Sequence, residues 1–384
     1  MSRVAVSPAI LHWALDRAGQ TLLGLEDRFP RISQWATGAS QPTLKQLEAL
    51  AKATLTPLGY FFLDAPPLEK LPIPHFRTLQ NERRTRPSAN LIATVQLMQR
   101  RQSWMREFLI EDGQDRLSLV RSAQLGETAT SVGAKMQAAI GLPDGWASQQ
   151  PTWTEALRVL RDAIERAGIL LVVNGIVGNN TTRKLDPSEF RGFVLVDDFA
   201  PLLFVNGADG KAAQMFTLAH ELAHVFFGSS AAFDLREMQP AMDATEQACN
   251  KAAAEFLIPE RSLRQIWPSI RDHSERFQEL ARRFKVSELV AVRRALDLAL
   301  INRQAFLSFY NDYQQQEHVA ASRRSGGGDF YNNQNLRVGR RFASTVVRAA
   351  REGKLLYSEA YHLIGLYGAT FDNYVSSLET GGLP

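Results

Sequence analysis

Along the chain, apolar residues recur at helical spacing up to about Gly168 and form strand-like runs between Ile169 and Asn206. They then return to helical spacing. Near the N-terminus, Ser7-Pro8 opens a helix with Ile10, Leu11, Ala14, Leu15 and Ala18 on its apolar face, and Gly19 stops it. A short segment from Leu22 to Arg28 follows. A helix from Pro30 to Gly38 comes next, then one with Leu44, Leu47, Leu50 and Ala51 on one face, then a short one within Thr56 to Leu63. From Asn90 to Ala167 the pattern stays helical, with Thr152 opening the last helix. Ile169–Val173, Phe190–Val196 and Leu202–Asn206 are β-rich runs bounded by Gly, Asn, Asp and Pro, which predicts a small sheet. Further helices are expected after Asp243, over Arg276–Phe284, Leu289–Leu300 and Phe306–Gln316, and twice within 340–366. The fold class is therefore α+β: an all-α N-terminal part, a small sheet with its helices, and a helical C-terminal part.

The third strand run leads into Phe216-Thr217-Leu218-Ala219-His220-Glu221-Leu222-Ala223-His224-Val225-Phe226-Phe227-Gly228. Apolar residues cover nearly the whole circumference of this helix, so it is expected to be buried. Asp209 is the expected N-cap and Gly228 the stop. His220 and His224, four apart, share one face as two nitrogen ligands of a tetrahedral zinc would. Glu221 projects beside them, placed to act as a base. Burying these groups without partners costs several kcal/mol. A sheet followed by such a helix is the layout of zincin proteases. An edge strand there holds an extended peptide by main-chain pairing, and Arg191 to Val196, with Arg191 and Phe193, is the candidate.

Catalytic zinc takes three protein ligands and keeps a place for water. A third histidine near residue 230 is ruled out by Gly228-Ser229-Ser230-Ala231. Glu237, Asp243, Glu246, Cys249 and Glu255 remain. Glu246 shares a helix face with Cys249 and Asn250, and composition leaves it only slightly ahead of Glu255. The spacing Asp243-x-x-Glu246 also suits a capping box, and Cys249 would suit a softer metal.

The chain has 384 residues, 45% hydrophobic, enough for two or three domains. No apolar run is long enough to span a membrane, and the N-terminus lacks the apolar stretch of a signal peptide. Cys249 is the one cysteine, which excludes an intrachain disulfide and fits a cytoplasmic protein. The net charge of +4 permits nucleic acid without demanding it. Proline-rich Ala65–Pro74 and basic Arg83–Arg86 read as a linker, and Ser322–Asp329 as a flexible basic break. No Lys-Ser/Thr follows Gly326-Gly327-Gly328, so it is not a phosphate loop. The expected domains are 1–66, a linker at 67–89, 90–300, and a C-terminal helical subdomain at 301–384.

Short helices joined by tight turns suit a helix-turn-helix module. Ile32-Ser33-Gln34-Trp35-Ala36-Thr37-Gly38 followed by Gln41-Pro42-Thr43-Leu44 resembles the recognition-helix end of the Xre/Cro family. That resemblance implies a DNA partner for residues 1–66, with Arg31, Ser33, Gln34 and Thr37 facing DNA and Ile32 and Trp35 inward. Residues 1–66 hold six Lys/Arg (3, 17, 28, 31, 45, 52) and five Asp/Glu (16, 26, 27, 48, 64), a net +1. This is a small charge for phosphate neutralisation.

A second resemblance covers roughly residues 90 to 300. Phe216 to His224, Glu246-Gln247-Ala248-Cys249-Asn250 and Ala252-Ala253-Ala254-Glu255-Phe256-Leu257-Ile258-Pro259 resemble the ImmA/IrrE family of metallopeptidases. So do Arg191-Gly192-Phe193 and Pro201–Asn206. The resemblance implies Zn2+ held by His220, His224 and Glu246, with Glu221 as general base. It also implies a protein substrate of the repressor type, or a cognate toxin for which the chain is the antitoxin. A second copy of the chain is a further candidate partner.

Overall fold

The computed structural model describes residues 3–69, 87–229, 231–233, 243–320 and 330–380. For 231–233, 314–320, 330–333 and 380 it describes the backbone alone. Most of the expected linker, the basic break and Glu237 lie outside these residues. The described chain divides into two units, 3–69 with 87–96, and the remainder from Leu97 onward.

In the first unit, α1 (Pro8–Ala18), α2 (Leu22–Glu26), α3 (Ile32–Ala36) and α4 (Leu44–Ala53) are followed by a 3-10 turn at Leu58–Phe62. The local signals act as expected. Pro8 starts α1 and Gly19 ends it in the left-handed region, and Thr43 and Gln46 form a reciprocal capping box on α4. Ile10, Leu11, Leu15, Ile32, Trp35, Leu47, Leu50 and Phe61 make the core. Each contributes roughly 1.5–3 kcal/mol by leaving water. The N-terminal segment is tied to the start of α4 by Val4 N–H to the Pro42 carbonyl and by an Arg3–Thr43 bridge.

α5 (Ala89–Glu111) runs across the unit boundary. The second unit continues with α6 (Ala129–Ile140) and α7 (Trp153–Arg166), then β1 (Leu170–Asn174), β2 (Ile176–Val177), β3 (Asn180–Lys184), β4 (Gly192–Leu195) and β5 (Leu202–Asn206). Next come α8 (Lys211–Phe227), β6 (Ala231–Phe233) and α9 (Ala244–Leu257). The remaining helices are α10 (Glu260–Ile270), α11 (Arg276–Phe284), α12 (Glu288–Asp297), α13 (Arg303–Ala320), α14 (Phe330–Val338), α15 (Arg340–Arg351), α16 (Tyr357–Ile364) and α17 (Gly368–Thr380). The protein is thus α+β and helix-rich. β2, β3, β6, α10, α14 and α17 are absent from the sequence reading: the strands are short or polar, α10 holds an internal Pro268, and α14 is rich in asparagine.

The main sheet has the order β1-β5-β4-β6, with β1 and β5 parallel and the other pairs antiparallel. Side-chain alternation assigns its two faces. Leu171, Val173, Val194, Leu203 and Val205 share one core with α8 and α9. Phe193 stacks on Phe204 at 4.8 Å, with Phe190 beside them, outside that core. The C-terminal helices α14 and α15 pack against β1. Arg101 of α5 is buried among them. It donates to the Leu363 carbonyl at 3.0 Å and the Arg337 carbonyl at 2.9 Å, near the C-terminal ends of α16 and α14, where helix dipoles favour a cation.

Two expectations are corrected. Asp209 is not the cap of α8: Gly210 holds that position, while Asp209 pairs with Arg191 at 3.3 Å. β4 is not an edge strand, because β5 flanks one side and β6 the other. The sequence of β6, Ala231-Ala232-Phe233, is too short to announce a strand.

Candidate metal centre

α8 forms because its residues have nowhere else to go: every position from Gln214 to Phe226 is buried, including three ionisable side chains. Gly228 ends it with φ 75°, returning its N–H to the carbonyls of His224 and Val225. α9 packs along α8 through alanines; Ala252 and Ala253 are fully buried, and small residues let the two helices approach closely. Asp243 caps α9 by accepting from the N–H groups of Thr245 and Glu246. The reciprocal half of a capping box is not what Glu246 supplies. Its carboxylate reaches His220 Nε2 at 3.2 Å and His224 Nε2 at 3.3 Å.

The two Nε2 atoms lie 3.0 Å apart. One ligand atom from each of His220, His224 and Glu246 falls within 4.8 Å of the others, and this is the group among the described residues suited to hold a metal. Tetrahedral zinc with bonds of about 2.0–2.1 Å would set its ligand atoms roughly 3.3 Å apart. The observed separations fit that donor set. Ser229 Oγ lies 2.8 Å from His224 Nδ1, fixing the ring from behind. Asn250, one turn after Glu246, lies beside His220 and favours its protonated form.

Electrostatics separate His220, Glu246 and Glu221. Burial lowers the His220 pKa to about 4, against the pull of Glu246 and Asn250, so its imidazole is neutral as a ligand must be. Burial pushes Glu246 up, but hydrogen bonds from His220 and His224 outweigh it and hold the carboxyl well below the usual range. Glu221 goes the other way. Burial, then the Glu246 charge, raise it well above an ordinary carboxylate. It has no solvent exposure, and neither carboxylate oxygen has a hydrogen-bond partner among the described residues. A cation held by the neighbouring three residues would offset that cost.

Gly192 of β4 sits directly over this carboxylate. A Cβ there would stand 2.6 Å from Thr217 Cγ2, 2.8 Å from the Phe204 carbonyl oxygen and 3.1 Å from Glu221 Oε1. Only glycine allows β4 and α8 this close.

The chain's other candidates have different employment. Glu255 is buried against Arg294, which also donates to the Ile258 carbonyl, and Glu255 accepts from Glu260 N–H at the start of α10. Cys249 is a buried thiol, pushed up by burial and by Glu246, Glu221 and Asp243. Phe193 points to the face of the sheet away from α8, while Arg191 is held by Asp209. Sequence reasoning passed over Ser229, Gly192 and Thr217; a glycine inside an apolar strand run was the available signal for close backbone approach.

Residues 164–296 match the family model of the IrrE N-terminal-like domain, a peptidase M78 group. The match contains the sheet, α8 and all of α9, and gives this region a zinc-metallopeptidase-like character, in line with the His-His-Glu group. A second match, to a domain of unknown function (DUF8813), covers residues 338–377. Neither match reaches residues 1–66. None of the curated proteins matches the chain.

In the first unit, α3 is one and a half turns long. Arg31, at its N-cap, is exposed, as are Gln34 and Thr37, and Ser33 is half-buried. Ile32 and Trp35 face the core. Ser33 donates to Glu26 at 2.7 Å, Thr37 donates to the carbonyls of Ser33 and Gln34, and Gln34 accepts from Ser40. Among the described residues, no helix is long and apolar enough to cross a membrane.

Proposed function

We propose that the chain is a zinc-dependent endopeptidase that cleaves a regulatory, repressor-like protein, with residues 1–66 as its DNA-binding part. The observation that carries this reading is the convergence of His220, His224 and Glu246 beside a buried, unpartnered Glu221. The three converging side chains would hold the metal, and Ser229 would orient His224. Zinc bound there supplies Lewis-acid activation of a water and of the scissile carbonyl. Glu221 takes a proton from the attacking water on its carboxylate and returns it to the leaving amine. Gly192 and Thr217 line this buried carboxylate. Arg31, Ser33, Gln34 and Thr37 would meet DNA, with Gln34 the candidate for reading an adenine. A cytoplasmic setting is part of the same proposal.

The depth of the site supports a second reading, a DNA-binding regulator or antitoxin whose metal is structural or sensory. His220 and His224 have essentially no exposed surface, and β6 covers the outer side of β4. Replacing Glu221 by Gln separates the two. The peptidase reading expects zinc to be retained while cleavage and every downstream output are lost. Unchanged output with zinc retained would favour the regulator.

A further inference from the structure

We propose that Thr217 is a positioning residue for Glu221, its hydroxyl donating the hydrogen bond that orients the carboxylate during proton transfer. This rests on the peptidase reading above. Thr217 lies four residues before Glu221 on α8, so the two share a helix face. Both are completely buried. The Thr217 hydroxyl and both Glu221 oxygens lack hydrogen-bond partners among the described residues.

A helical threonine ordinarily satisfies its hydroxyl on the carbonyl four residues back. This chain does so elsewhere: Thr94 to Asn90 at 2.8 Å, Thr54 to Leu50 at 2.9 Å, and Thr345 to Arg341 at 3.0 Å. Thr217 does not. A valine of the same shape would fill its place without leaving a buried hydroxyl unpaired, which is costly. The hydroxyl is therefore retained for a partner that the resting arrangement does not supply.

Geometry names that partner. The Thr217 methyl and Glu221 Oε1 converge on the one spot that Gly192 leaves free by lacking a Cβ, at 2.6 Å and 3.1 Å from it. A 120° rotation about χ1 moves the hydroxyl into the methyl's place and the methyl into the place of the Cβ hydrogen. It brings the oxygen to the side facing Glu221 Oε1, where it donates to the carboxylate. Gly192 thus has a purpose beyond packing: it keeps open the space in which Thr217 and Glu221 meet.

The test uses full-length zinc-loaded protein, a mixture of quenched fluorescent peptides and then the best-cleaved single peptide. Thr217→Val is expected to lower kcat ten- to a hundredfold with KM and zinc content unchanged, the scale of a lost supporting hydrogen bond. Thr217→Ser should recover most of it. In metal-free protein, Thr217→Val should melt at the same temperature as wild type or higher, since an unpaired buried hydroxyl is gone. Wild-type turnover in Thr217→Val, or a Thr217→Ser variant as slow as the valine, would overturn the assignment. If Thr217→Val does not fold, the serine variant decides alone, and near-wild-type kcat is then the supporting result. If wild type and Glu221→Gln are equally inert on every peptide, the peptidase reading itself has failed, and this inference fails with it.

Discussion

Helices α3 and α8 each carry the polar residues that distinguish them in the sequence, and the fold treats the two sets in opposite ways. On α3, Ser33, Gln34 and Thr37 reach the surface and are bonded to Glu26, Ser40 and local carbonyls. On α8, Thr217 and Glu221 are fully buried and unpaired, one turn apart, beside His220 and His224. Satisfied surface groups cost nothing to keep and so carry little information about what they meet. An unpaired buried carboxylate costs several kcal/mol, a cost that a cation bound beside it would offset.

The strongest way to break this contrast is Glu221→Gln. Cleavage of the best peptide should fall about 10²–10⁴-fold, the worth of a general base, while zinc is retained; equal rates would remove α8's special standing. Glu165 is the control, another carboxyl raised by burial, to about 7, but one that accepts from Arg341 N–H at 3.0 Å at the start of α15. Its folded pKa lies above its ordinary value of 4.5, so the stability linked to its neutral form is fully present below about 4.5 and is lost as pH rises through about 7. Glu165→Gln should therefore be more stable than wild type at pH 8, by up to about 3 kcal/mol. The gain should vanish near pH 4.5 in urea titrations, with cleavage unaffected throughout. Gly192→Ala comes next. Overpacking against Thr217 and the Phe204 carbonyl should cost about 1–3 kcal/mol in the same titrations, and activity should fall further than stability explains. Smallest at the metal site is Arg31→Ala with Gln34→Ala. Stability should move by no more than about 0.5 kcal/mol, with zinc and cleavage unchanged. Salt-sensitive binding to the DNA upstream of the chain's own gene should weaken by about 1–3 kcal/mol.

The same contrast explains what the sequence disclosed. Strong periodicity with clear stops made α1, α4, α7 and α8 readable, and three β-rich runs marked β1, β4 and β5, the last residue for residue. The His220–His224 pair was legible because four-residue spacing is a local property. Glu246 is distant in sequence and competed with Glu255, which spacing could not dismiss. Only packing shows Glu255 occupied by Arg294. The edge-strand expectation for β4 failed because β6 is three residues of weak signal arriving after the helix. Ser229 and Thr217 gain their meaning from neighbours that no local pattern reports.

The most direct test is metal analysis of the full-length protein purified without added metal or chelator, beside Glu246→Ala. The account predicts one zinc per wild-type chain and a large loss of zinc in the variant. Wild-type protein without stoichiometric zinc, or a Glu246→Ala protein that holds it equally tightly, would contradict it.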